Sequence, residues 1–328
     1  MDRRHGDPRG GAARVLVTGG AGFIGANLVR MLRARGDAVT VLDDFSVGQR
    51  AHVSGLGVEV VEGDIRETPL VAQLAEGHDA IVHLAAQTGV PISLEAPRRD
   101  CEVNVLGSLS VLEAVRAAEA KAPRGRRFIF ASSNAPLGRQ PPPATEDKAP
   151  LPISPYGASK LAGEAYCLAY HGSWGLGTVA LRFGNVYGPF SGRKQSVVAK
   201  FFGEIDAGRP LVVDGDGGQT RDFIYVEDLC RAVLAALDAD VAGEVFQIAT
   251  GVETSIGELA ALVQAVVGRD VVVSVGPPRT GDVRQSYAVV AKAHAQLGWQ
   301  PQVSLEAGLR KTWQWWNASM RAPALTPL

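Results

Sequence analysis

Residues 18–25 read TGGAGFIG, a glycine turn of the kind that holds phosphate. Gly20, Gly22 and Gly25 fit GxGxxG, while Gly19, Gly22 and Gly25 fit GxxGxxG. The string alone is weak, because with 38 glycines in 328 residues chance supplies about 0.5 such triplets. Its position carries more weight. It follows an apolar run directly, opens an amphipathic one, and has an acidic residue, Asp43, at the end of the next apolar run. Glycines let backbone amides approach a pyrophosphate, and a helix N-terminus adds partial positive charge. The Asp43 carboxylate would accept hydrogen bonds from vicinal ribose hydroxyls and repel a 2′-phosphate. A dinucleotide is expected here, with NAD favoured over NADP.

A second group of residues could move a proton. Tyr156 and Lys160 form the one YxxxK match in a chain with six tyrosines, against about 0.13 expected by chance. On a helix, positions i and i+4 share a face, so the ammonium stands beside the phenol. A tyrosine starts near pKa 10, and each unit of depression needs roughly 1.4 kcal/mol. Two cations in a partly dry cleft, the ammonium and an oxidised nicotinamide ring, supply about three units by that arithmetic. Tyr156 is therefore expected to act as a general base near neutrality. Ser133, ending an earlier apolar run, would hydrogen-bond the reacting hydroxyl or the ketone formed from it. His83 sits in a similar place but reads as a satisfied histidine at a sheet end, since the tyrosine already supplies the base.

The elements that must position these groups are legible as β–α alternation. Apolar runs at Arg14–Thr18, Val39–Asp43, Val58–Glu62, Ala80–Leu84, Phe128–Ser132 and Val179–Phe183 read as strands covered on both faces. Amphipathic stretches such as Gly25–Arg35 and Asn104–Ala120 lie between them. The expected fold class is α/β, a Rossmann-type doubly wound parallel sheet with a smaller mixed α/β substrate lobe at the C-terminus. Residues 1–13 read as a disordered leader, 14–182 as the NAD-binding domain, 183–318 as the substrate lobe and 319–328 as a tail. A segment of about 222–252 is expected to rejoin the first domain. With 33 basic against 34 acidic side chains and a net charge of −1, neither nucleic acid nor a membrane surface is an expected partner. No apolar stretch approaches the roughly 20 residues of a membrane span. Three widely separated cysteines suggest no disulfide framework and no metal site, and the chain reads as cytoplasmic.

From Val15 to about Trp316 the chain resembles the extended short-chain dehydrogenase/reductase family, in its nucleotide-sugar epimerase branch. The matching segments are TGGAGFIG, Gly63–Ile65, HLAAQ (His83–Gln87), Asn104, Ser132–Ser133, SPYGASK (Ser154–Lys160), RFGNVYGP (Arg182–Pro189), TRDFIYVEDL (Thr220–Leu229) and RTGDVR (Arg279–Arg284). The resemblance implies NAD held by Gly19, Gly22, Phe23, Ile24, Gly25 and Asp43, with Asp64 and Ile65 flanking the adenine. Leu84, Ala85, Ala86, Gln87, Asn104, Tyr156, Lys160 and Phe183 would complete the cofactor site. It implies Ser133, Tyr156 and Lys160 as catalytic residues. Ser93, Ser133, Asn134, Asn185, Arg193, Val197, Arg221, Arg279 and Asp282 would hold a UDP-sugar. A homodimer packed through the Asn104–Ala120 and Tyr156–Tyr170 helices is a further implication.

Members of this branch share an opening step, in which the tyrosine takes the proton of the sugar 4-hydroxyl and NAD takes hydride from carbon 4. Dehydratases resemble one another in carrying Asp-Glu where this chain has Asn134 and Ala135, neither able to move a proton. The Glu of similar decarboxylases and the Cys and His of similar epimerase-reductases are missing too, so what remains is 4-epimerisation, with a non-catalytic NAD-binding sensor as the lesser alternative. For the sugar, His83–Pro97 is similar to a stretch found in UDP-glucuronate 4-epimerases, and Arg193 lies close to where those enzymes carry an arginine beyond VYGP. A guanidinium there would clamp the sugar carboxylate, so conversion of UDP-glucuronate to UDP-galacturonate is expected, with UDP-glucose or UDP-N-acetylglucosamine as the alternatives.

Overall fold

The computed structural model describes residues 12–192, 194, 196–277 and 284–320. Strands β1 (Arg14–Thr18), β2 (Ala38–Asp43), β3 (Glu59–Glu62), β4 (Ala80–His83), β5 (Arg127–Ser133) and β6 (Gly177–Phe183) form in the expected order, their ends within two residues of the sequence reading. Helices α1 (Phe23–Arg35), α2 (Thr68–Gly77), α3 (Val90–Glu95), α4 (Pro97–Cys101), α5 (Ser108–Lys121) and α6 (Pro155–Trp174) alternate with them. Beyond β6 come β7 (Asn185–Tyr187), α7 (Val197–Asp206), β8 (Leu211–Asp214), β9 (Thr220–Arg221), β10 (Phe223–Tyr225), α8 (Val226–Asp238) and β11 (Glu244–Ile248). Then follow β12 (Thr254–Ser255), α9 (Ile256–Val267), β13 (Val273–Gly276), α10 (Ala291–Leu297) and α11 (Leu305–Met320).

Seven strands make one sheet in the order β11-β6-β5-β4-β1-β2-β3, every pairing parallel. Alternation in β1 shows why it is covered on both sides. Val15 and Val17 enter one core cluster and Leu16 the other, all with no exposed surface. The chain winds from β1 towards β3, then crosses over to β4 and winds the other way. That reversal opens a crevice at the carboxyl ends of β1 and β4, where doubly wound sheets bind ligands. The remaining strands pair in twos, β10 with β7, β12 with β9 and β13 with β8. In α11, Trp313 and Trp316 pack against Phe202 at ring separations of 5.3 and 6.1 Å, so this aromatic cluster is core.

One helix departs from the expected pattern. The stretch read as a single helix from Asn104 begins as a π-helical turn, Glu102–Gly107, and becomes α-helical only at Ser108. Two contacts accompany the widened turn. Gly107 lies against Ile65, where a Cβ would come 2.6 Å from Cδ1, and Asn104 is tied to the backbone of Gln87. Such turns occur often at functional sites. Among the described residues, no helix is long and apolar enough to cross a membrane.

Candidate active site

The glycine turn closes between β1 and α1 in a way that only glycine permits. Gly19 has φ +69°, and a Cβ on it would come 2.7 Å from the Ala85 nitrogen. At Gly25 a Cβ would lie 2.3 Å from the Gly19 carbonyl oxygen. Gly22 is the N-cap of α1 and no side chain caps that end, so Phe23, Ile24 and Gly25 begin the helix with its first amides uncapped. This is the environment a pyrophosphate needs. Asp43, at the carboxyl end of β2, is buried and accepts backbone N–H groups from Ala21 and Phe45, each at 2.9 Å. Burial pushes its carboxyl up, while those two bonds pull it back. The turn and the carboxylate together fit a dinucleotide with free ribose hydroxyls.

Asp64 and Ile65 follow β3 as expected. The Asp64 carboxylate is engaged side-on by Arg66, whose Nε and Nη2 donate at 3.0 and 2.5 Å, and this pairing holds it below the usual range. Leu84 and Ala85 line the turn: their amides donate to the Thr18 carbonyl and hydroxyl at 3.1 and 3.3 Å. Ala86 and Gln87 continue half-buried. Asn104 accepts from the Gln87 amide at 2.8 Å and donates to its carbonyl at 2.9 Å, fixing the Gln87 backbone. Phe183 ends β6 and is buried. His83 bonds Thr18 Oγ1 at 2.7 Å and Ser108 Oγ at 2.9 Å, and burial lowers it to about 3, so it stays neutral with both ring nitrogens engaged.

Ser154 starts α6 as a true cap, its hydroxyl accepting from the Gly157 amide at 3.1 Å, which sets Tyr156 and Lys160 in the first turns. The Lys160 ammonium is 6.0 Å from the Tyr156 ring centroid and donates to the Ala131 carbonyl at 2.9 Å. Ser133 hydrogen-bonds the Tyr156 phenol, which brings the three residues together as expected.

The electrostatics differ from the expectation. Burial raises the Tyr156 phenol to about 12, the Ser133 bond pulls the other way, and the charge of Asp100 pushes it further up. Burial also lowers Lys160 to about 8. Of the two cations expected beside the phenol the chain supplies one, and burial opposes both charged forms.

Next to this cleft, a pocket of about 310 Å³ gathers Asn185, Val197 and Arg221 along with Lys194, Lys200 and Gln219. The sequence reading named the first three and missed the others. The Lys194 ammonium turns inward to donate to the Val186 carbonyl at 2.8 Å and lies 5.3 Å from the Phe23 ring centroid, next to the glycine turn. A lysine beside Arg193 in a Gly-rich loop was the available signal. Ser93 is buried in α3 with its hydroxyl donating to the Val90 carbonyl at 2.8 Å. Asn134 follows β5, and its side-chain oxygen is buried with no hydrogen-bond partner. Arg193, Arg279 and Asp282 lie outside the described residues.

Three comparisons bear on this arrangement. The pattern describing the NAD dependent epimerase/dehydratase family matches residues 15–249. A protein named UDP-glucose 4-epimerase from Mycolicibacterium smegmatis is 39% identical over 308 residues, covering 91% of this chain and 97% of the relative. The solved structure of Thermotoga maritima UDP-glucose 4-epimerase with UDP-glucose is 36% identical, with a TM-score of 0.86 over 94% of this chain and 99% of that one. Bacillus cereus UDP-glucuronic acid 4-epimerase, solved with UDP-glucuronic acid and NAD, is 30% identical, with a TM-score of 0.84 over 92% and 98% of the two chains.

Proposed function

The chain belongs to the NAD-dependent epimerase/dehydratase family, and from that premise we propose that it inverts carbon 4 of a UDP-sugar through a transient 4-keto intermediate. The observation that carries this reading is the Ser133–Tyr156–Lys160 group beside a dinucleotide turn, followed in the chain by Asn134 and Ala135. NAD, when bound, supplies the hydride acceptor and returns the hydride. Tyr156 takes the proton of the 4-hydroxyl and gives it back after the ketone has turned over. Ser133 steadies the sugar oxygen in both states, and Lys160 stabilises the phenolate. Asn134 and Ala135 offer no group to remove a proton at carbon 5, so the ketone has no route to dehydration. Arg221, Asn185, Arg279 and Asp282 hold the nucleotide diphosphate and its ribose. Residues 14–182 with about 222–252 bind the cofactor, and the rest of 183–318 binds the sugar nucleotide. Proton NMR of the purified protein with UDP-glucose, UDP-N-acetylglucosamine and UDP-glucuronate tests the reading. The expected result is a 4-epimer of one of them with no net NADH; a net accumulation of NADH would refute it.

Within that activity we assign UDP-glucuronate as the sugar nucleotide, on the strength of the His83–Pro97 segment and of Arg193. The higher identity to UDP-glucose 4-epimerases favours a neutral hexose instead. One variant separates the two. A guanidinium grips a carboxylate through two parallel bonds that a hydroxymethyl group cannot match. Arg193→Leu is therefore expected to lower kcat/KM for UDP-glucuronate by about 10²-fold or more, with UDP-glucose little affected. Equal losses on both substrates, or none, make the enzyme a neutral-hexose epimerase.

We also propose a homodimer through α5 and α6. Leu106, Leu168 and Trp174 are exposed on or beside these helices, and a second copy would cover this apolar surface. Light scattering is expected to give twice the chain mass, and Leu168→Glu to give monomers; a monomeric parent protein rules the dimer out. The free cysteines suit a cytoplasmic, reducing location.

A further inference from the structure

At the base of the cleft stands an ionisable group that the mechanism above does not use. Asp100, in α4, is 1% exposed. Its Oδ2 accepts from Asn104 Nδ2 at 3.0 Å. Asn104 Nδ2 in turn reaches Ser159 Oγ at 3.1 Å and the Gln87 carbonyl at 2.9 Å. Ser159 immediately precedes Lys160 and donates to the Tyr156 carbonyl at 3.1 Å. One carboxylate thus ties together the loop after β4, the π-helical turn and the part of α6 that carries the proton-transfer pair.

A carboxylate this deeply buried is costly unless a charge answers it. Arg98 and Arg99, its neighbours on α4, are exposed. The charged group on α6 whose field reaches it is Lys160, beyond ion-pair distance, with its ammonium donating to the neutral Ala131 carbonyl at 2.9 Å. The other groups around Lys160 are accounted for. Glu164 is gripped by Arg182 at 2.8 and 2.9 Å and by Ser132 Oγ at 2.5 Å. Burial pushes the Cys167 thiol up and holds His83 down, so both are neutral. Among the described residues, Asp100 is the counter-charge to Lys160 that no arginine has taken.

We propose that Asp100 is a positioning residue, which keeps Lys160 charged and fixed beside Tyr156 without touching substrate or cofactor. The proposal rests on the reading of Tyr156 and Lys160 as the acid–base pair. A negative charge at this point raises both groups, so its removal lowers both, and the pH–rate profile moves to acid instead of only shrinking. The test is a pH titration of the Lys160 ε-carbon by NMR in protein labelled at lysine, its resonance identified by its absence from Lys160→Met. In the parent protein the midpoint is expected near 8. In Asp100→Asn, an isostere that keeps an acceptor for Asn104, it should fall by about half a unit or more. Asp100→Ser, a second way of removing the charge, should give the same direction should the asparagine variant not fold, and Asp100→Glu should hold the parent midpoint. The kcat profile should follow, with KM for the sugar nucleotide unchanged. A Lys160 midpoint that does not move when the charge is removed overturns the proposal. The titration is made on free protein, so a failure to epimerise any UDP-sugar would count against the proposed function and leave this measurement standing.

Discussion

Tyr156→Phe is expected to lower kcat by about 10²–10⁴-fold, the usual worth of a positioned general acid–base group, while KM changes little. Tyr156 lies in the first turns of α6, and the substitution keeps the ring and removes only the oxygen that exchanges a proton with the sugar. The loss therefore falls on an interaction made in the transition state, which appears in kcat. Ser133→Ala should cost less, because it removes an orienting hydrogen bond and leaves the base in place. The pH profile adds a sign. With the phenol raised by burial to about 12 and Lys160 lowered to about 8, phenolate becomes more abundant as pH rises and ammonium less so. Activity should climb from mildly acidic pH and level off as Lys160 loses its proton near 8, because the gain in phenolate and the loss of ammonium then cancel. Near-parent kcat in Tyr156→Phe would refute the assignment of the base.

The parts of this site that rest on local chemistry are legible in the sequence. A glycine turn between a strand and a helix, an acidic residue at the next strand end and a tyrosine–lysine pair at helical spacing are patterns within short stretches. β1 to β6 were equally plain, because strands buried on both faces leave continuous apolar runs. What escaped depends on contacts between distant segments. Asp100 reads as one more charge in PRRD until α4 folds against α6 and buries it. Lys194 reads as a loop lysine until its ammonium turns towards Phe23, far away in sequence. The direction of the Tyr156 shift escaped for the same reason: spacing tells which groups are neighbours, and burial decides which charge state they favour. The π-helical turn was also hidden, since Asn104 has no local reason to leave the helix and finds its partners on the Gln87 backbone.

Asp43 should decide which dinucleotide is bound. Its two oxygens already accept from the Ala21 and Phe45 amides, so the carboxylate is held in one orientation at the carboxyl end of β2. Each oxygen keeps a lone pair for a ribose hydroxyl. A hydrogen bond to a charged group is worth about 1.5–3 kcal/mol, so loss of two predicts NAD binding weaker by about 10²-fold or more in Asp43→Ala. The same carboxylate repels a 2′-phosphate, which carries a charge near −2, so the variant should lose far less affinity for NADP. The discriminating quantity is the ratio of the two dissociation constants, measured by calorimetry on cofactor-stripped protein. Asp43 also steadies the backbone of Ala21, inside the glycine turn, and a purely mechanical role would weaken NAD and NADP alike because both present the same pyrophosphate there. A ratio that collapses towards one marks recognition of the ribose. A ratio unchanged while both affinities fall marks a clamp on the turn, and removes Asp43 as the residue that selects NAD. Asp43→Asn refines the comparison, since it retains an acceptor for Ala21 and gives up the charge. Its NAD affinity should lie between those of the parent and the alanine variant, with its discrimination against NADP already largely gone.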